Sequence, residues 1–154
     1  MHNPRNLRKL VPLTAKDAMR IVPQAMQTSN MDAILENPRN YLDMCLSGPS
    51  FAMYDGLGLS GIGGVIPVWR GRAVGWVVVD RCADRHGWLW ATRRVREYLD
   101  SVQAAGIYRR IETAVCEDFT QGHRWARLLG FVKEGTMKAY TPDGLDYALY
   151  ARVV

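Results

Sequence analysis

Hydrophobic positions change their rhythm along the chain, and the changes mark its elements. A first helix is predicted from Thr14, whose hydroxyl can cap the opening turn, with Asp17 three residues on at the positive helix end. Pro23 falls inside this pattern and predicts a kink or break. A second helix is bounded by Asn37 as N-cap, Pro38 at the first helical position and Gly48 beyond the end. Tyr41, Leu42, Cys45 and Leu46 form its apolar stripe. From Pro49 the pattern becomes that of strands. Residues 51–54 are one strand, Asp55-Gly56 a turn, and residues 59–66 a second strand. Gly61, Gly63 and Gly64 loosen that strand, predicting a bulge or a close approach to its backbone. After a turn at Arg70-Gly71-Arg72, residues 73–79 form a continuous apolar run, as expected of a strand covered on both faces.

The period then lengthens. Trp88, Ala91, Val95, Leu99 and Val102 recur at spacings of three and four, so residues 87–105 are predicted as a long helix with one buried stripe. Arg93, Arg94, Arg96 and Glu97 fall largely on its other side, and Gly106 closes it. Residues 110–115 read as a strand, and the order strand, helix, strand predicts a parallel pair. Asp118 opens the next helix with Gln121 in capping-box position. Trp125, Leu128 and Leu129 give its apolar face, and Gly130 ends it. Residues 131–140 and 145–153 are two last strands joined by a Thr141-Pro142-Asp143-Gly144 turn. The whole is an α/β chain with a mixed sheet of about six or seven strands and four helices. Residues 1–13 read as a loose lead-in and 14–154 as one domain.

Composition fits that picture. The chain has 154 residues, of which 48% are hydrophobic and 23% charged, enough to build a core and too apolar for disorder. No apolar run approaches the roughly 20 residues of a membrane span, and the first residues lack a secretory apolar stretch. A cytoplasmic protein is therefore expected. Cys45, Cys82 and Cys116 are odd in number and widely spaced, which supports neither a disulfide framework nor a zinc site. His2, His86 and His123 show no metal spacing. The net charge of +5 is spread along the chain and does not point to nucleic acid. The glycines at 56–64 lack the order of a phosphate-binding loop and precede a strand rather than a helix. Cys116, with His123 seven residues on, invites a Cys–His nucleophile reading, but no third partner can be named.

The element order resembles that of the GNAT superfamily of N-acetyltransferases, and residues 121–131, ending Leu129-Gly130-Phe131, are similar to the family's helix ending in Leu-Gly-Phe. Residues 132–137 continue in the manner of its next strand. The pattern also resembles a group of phage-encoded GNAT-like proteins that includes internal virion proteins. The resemblance implies the GNAT-like acyltransferase fold and acetyl-CoA as cofactor. Its pantetheine arm would pair with the strand backbone at Val77, Val78 and Val79. Its pyrophosphate would sit at the start of the long helix, at Arg85, His86, Gly87 and Trp88. Gly87 fits the family's motif there. Asp84 stands where Gln or Arg is usual, and Leu89 where Gly or Ala is usual.

The resemblance also implies a tyrosine five residues before the Phe of Leu-Gly-Phe, able to protonate the departing thiolate. This sequence has Ala126 at that position. Tyr140, Tyr147 and Tyr150 are substitutes to test, and Glu112, Glu117 and His86 are candidate bases; the catalytic residues themselves stay unassigned. The implied function is acetyl transfer to an unidentified small-molecule or protein amine. The alternative is a catalytically inactive GNAT-shaped structural or binding protein, for example a virion component, in which case the protein would be found inside a virion.

Overall fold

The structure is a computed structural model and describes residues 8–154; the first seven residues of the expected lead-in lie outside the described residues. Seven strands form one sheet in the order β1-β2-β3-β4-β5-β7-β6. They are β1 (Lys9–Pro12), β2 (Ser50–Asp55), β3 (Gly58–Trp69), β4 (Gly71–Val79), β5 (Tyr108–Cys116), β6 (Val132–Met137) and β7 (Tyr147–Val153). Only β4 and β5 are parallel; the other neighbours run antiparallel. Five α-helices lie among the described residues: α1 (Ala15–Arg20), α2 (Thr28–Leu35), α3 (Pro38–Leu46), α4 (Trp88–Ala104) and α5 (Thr120–Leu128). α1 and α2 are the two pieces of the first predicted helix, broken around Pro23.

The structure departs from the sequence expectation at several element ends: β6 closes at Met137 rather than at residue 140, and β7 opens at Tyr147 rather than at residue 145. The end of the lead-in is ordered: Lys9–Pro12 pairs with residues 51–54 as the outermost strand. α5 opens at Thr120 rather than Asp118, with no side-chain cap. Residues 116–119 instead form a turn closed by the Phe119 N–H on the Cys116 carbonyl at 2.9 Å. Elsewhere the local signals act as expected. Thr14 and Asp17 form a reciprocal capping box at α1. Asn37 caps α3, and Gly106 takes the left-handed conformation (φ +76°) just beyond α4.

Each face of the sheet has its own core. Val95, Leu99 and Val102 of α4 and Trp125, Ala126 and Leu129 of the α5 region pack with Phe51, Val65, Ala73, Ile111 and Tyr150. Ala18, Ile21, Met31, Tyr41 and Cys45 of the first three helices pack with Ala52, Ile62 and Val78. β4 thus has both faces covered, as its unbroken apolar run requires. The glycines of β3 serve close approach: a Cβ on Gly64 would lie 2.5 Å from the Pro49 carbonyl oxygen.

Candidate functional site

The parallel pair β4/β5 separates part-way along. Its register runs from Gly71↔Tyr108 to Val74↔Glu112 and stops. Beyond that point β4 stays paired with β3 as far as Val79↔Gly61. β5 stays paired with β7 as far as Cys116↔Tyr147. Residues 75–79 and 113–116 therefore diverge, and a gap opens in the sheet at the carboxyl ends of its two parallel strands. Ligands of open α/β sheets bind at such places. The start of α4 lies directly after β4 and borders the same end.

The backbone of β4 that faces this gap is already bonded. The Gln27 carboxamide donates to the Val77 carbonyl at 2.8 Å and accepts from the Val79 N–H at 2.9 Å. The Gln24 N–H reaches the Val79 carbonyl at 3.0 Å, and the Arg81 N–H reaches the Val22 carbonyl at 2.8 Å. Pro23 makes an antiparallel bridge to Asp80, whose carboxylate accepts from the Val22 N–H at 2.9 Å. Lacking an N–H, Pro23 cannot continue a helix, and residues 21–27 leave α1 to run beside the end of β4. Sequence reasoning located the break but not its destination, because no local signal in Gln24 or Gln27 names a partner fifty residues away.

The start of α4 is also internally satisfied. Asp84 accepts from the His86 N–H through its side chain at 2.9 Å and from the Gly87 N–H through its carbonyl at 3.1 Å. The Trp88 N–H bonds the Arg85 carbonyl. The Arg8 guanidinium closes on the Asp84 carboxylate at 3.3 Å. The His86 N–H, together with Arg8, holds the Asp84 carboxyl below its ordinary range. A carboxylate of the chain itself thus sits where a helix start attracts an anion. Arg81, Arg85 and His86 remain exposed around it. Leu89 is 75% exposed, so its bulk points to solvent and not into the loop. The Trp88 ring packs on Trp125 of α5 at 4.8 Å between centroids, and the Trp125 indole donates to Thr92 at 3.0 Å.

Of the candidate bases and acids, Glu112, Glu117 and Tyr150 are tied into structural contacts, while His86 stays exposed. Glu112 accepts from Arg72 at 2.6 and 2.9 Å and from Arg110 at 2.6 Å. The Arg72 bonds first, and those of Arg110 after them, pull its carboxyl down to about 2. It is a poor proton acceptor and acts instead as the hub of an ion-pair network that continues from Arg110 to Glu134. Glu117 accepts from Thr136 and Lys133, and these two contacts also lower its pKa. Tyr147 is buried, and desolvation raises its hydroxyl pKa. Tyr140 is half exposed and stacks on Tyr147. Tyr150 is fully buried and bonds His123 Nδ1 at 2.7 Å. The other ring nitrogen of His123 donates to the Glu117 carbonyl at 3.0 Å, so Nδ1 accepts from the tyrosine. Both nitrogens of His123 are thereby used, which removes the Cys116–His123 nucleophile reading. Ala126 is buried in the core of the sheet. All three cysteines are free, Cys45 and Cys116 buried and Cys82 exposed.

No known family profile matches the sequence, and no curated protein matches it. Solved structures do. A structure described as a candidate phosphinothricin N-acetyltransferase superposes with a TM-score of 0.73 at 14% identity, over 96% of this chain and 98% of the other. An acetyltransferase of the GNAT family from Streptococcus pneumoniae gives 0.68 at 15% identity, over 96% and 99%. The protein yncA of Salmonella typhimurium, solved with its cofactor acetyl-CoA, gives 0.68 at 14% identity, over 96% and 94%. The likeness to phage-encoded proteins finds no support in these neighbours. Identities this low speak for architecture alone: the chain has the GNAT acyltransferase fold, with a mixed sheet of seven strands where the sequence predicts about six or seven.

Proposed function

We propose that the protein is an acetyl-CoA-dependent N-acetyltransferase acting on an amine. The observation that carries this reading is the divergence of β4 from β5 beyond Val74 and Glu112, which leaves one strand edge beside a gap flanked by the start of a long helix. The backbone of Val77, Val78 and Val79 would hold the extended arm of the cofactor by strand-like pairing. Gly87 and Trp88 would lie against its phosphates, with Arg85 and His86 supplying positive charge. Bound there, acetyl-CoA would supply an activated acetyl group. The strands fit such a ligand, but the bonding groups along them do so only after rearrangement: Gln27 and Gln24 occupy the β4 edge, and Asp84 occupies the helix start.

Three observations favour a second reading, a GNAT-shaped binding protein without catalysis. Ala126 cannot donate a proton, Asp84 opposes a phosphate, and Glu112 is committed to two arginines. Calorimetric titration with acetyl-CoA separates the two. Saturable binding is expected of the transferase. Its absence at millimolar ligand would leave the second reading standing.

A further inference from the structure

We propose that residues 22–27 are a resident strap that occupies the cofactor's edge of β4 and must be released before coenzyme A can bind. This inference rests on the cofactor reading above and adds a self-blocking element to it. The Gln27 carboxamide makes both bonds of a paired strand, donating to Val77 and accepting from Val79. The amides in the pantetheine arm of coenzyme A carry the same donor and acceptor, so the two are alternatives for one pair of backbone atoms. Val22 and Gln24 then complete the edge as far as Arg81.

The strap is built to be held in this way and to let go. It is anchored on both sides by buried residues, Ile21 at 8% and Met31 at 4% exposure. The Tyr41 hydroxyl pins α1 by donating to the Ala18 carbonyl at 2.8 Å. Between these anchors the packing is thin. Val22 is 42% and Met26 41% exposed, and the turn Ala25–Gln27 buries no residue. Hydrogen bonds rather than apolar burial keep it on β4, and each such bond contributes little net stability because water competes for the same groups. A segment with few buried contacts belongs to the low-stability end of a fold, where opening is local.

The test compares coenzyme A binding to the wild-type protein and to Gln27→Ala by calorimetry, with hydrogen exchange of the Gln24 and Arg81 amides followed by NMR in the wild type. Gln27→Ala is expected to bind at least tenfold more tightly. Coenzyme A is expected to speed exchange at Gln24 and Arg81, whose partners Val79 and Val22 separate as the strap leaves. Equal affinities with unchanged exchange at both amides would overturn the strap and leave the cofactor reading intact. No binding to either protein would overturn the cofactor reading and, with it, a strap that admits this ligand. If Gln27→Ala does not fold, Gln27→Glu serves, because a carboxylate cannot donate to the Val77 carbonyl, and the wild-type exchange measurement decides independently.

Discussion

Glu112 shows how a single carboxylate can look catalytic in a sequence and be structural in the fold. It stands on the strand beside the gap, yet it is gripped by Arg72 and Arg110 at the end where β4 and β5 are still paired. Its carboxyl lies at about 2, well under the ordinary 4.5. A carboxyl lowered on folding contributes stability above its unfolded value, and that contribution disappears as pH falls through the folded value. Stability measured by urea unfolding is therefore expected to fall between about pH 4.5 and pH 2, and Glu112→Gln should flatten that part of the profile. An unchanged slope would show that the network does not contribute. Gly64 is the converse case, a residue whose importance the sequence did reveal. With backbone at 2.5 Å from any Cβ, Gly64→Ala forces β3 away from residues 49–50. It should cost about 1–3 kcal/mol, as overpacking does, read from chemical denaturation.

At the scale of elements, α4 repays most of its sequence pattern, although Trp88 at its start is exposed. Val95, Leu99 and Val102 are buried on one stripe, while Arg96 lies outside it and donates to the Leu128 carbonyl. Leu99→Ala should cost about 2–5 kcal/mol through lost burial and the cavity left behind. Arg96→Ala should cost much less, and two equal small losses would mean that the helix presents another face to the core. The strands and helices were legible because their periods, caps and glycines act locally. α5 was misplaced by two residues: residues 116–119 form a turn of their own, and the helix opens at Thr120 without a side-chain cap. The strap was invisible for a different reason. Its bonds join residues 22–27 to residues 77–81, and such pairing leaves no periodic trace. The same limit applies to Asp84. The sequence shows a misplaced negative charge, and only the fold shows that this charge accepts from His86 and meets Arg8.

For the whole molecule, stability tests the gap in the sheet as a binding site by a measure that does not depend on knowing the amine. A ligand that binds only the folded state stabilises it by about 2.7 kcal/mol at 100 times its dissociation constant. For a domain of this length that is a rise in melting temperature of about 5–10 °C. Coenzyme A should produce such a rise, and acetyl-CoA a similar one, because the groups proposed for binding would face the arm and the phosphates rather than the acetyl carbon. The start of α4 then provides the internal control. Gly87 has an ordinary helical backbone (φ −81°), and among the described residues a Cβ there would first meet the flexible end of the Arg8 side chain, at 3.2 Å. Gly87→Val should therefore melt close to the wild type without ligand. If phosphate lies against Gly87, the added side chain obstructs it, and the affinity should fall at least tenfold, about 1.4 kcal/mol. Arg85→Ala should also weaken binding, more at low salt than at high, because its exposed charge acts through a screened field. Ligand-induced shifts in both variants equal to the wild-type shift would remove this loop from the site, and any binding would then have to depend on the β4 edge alone.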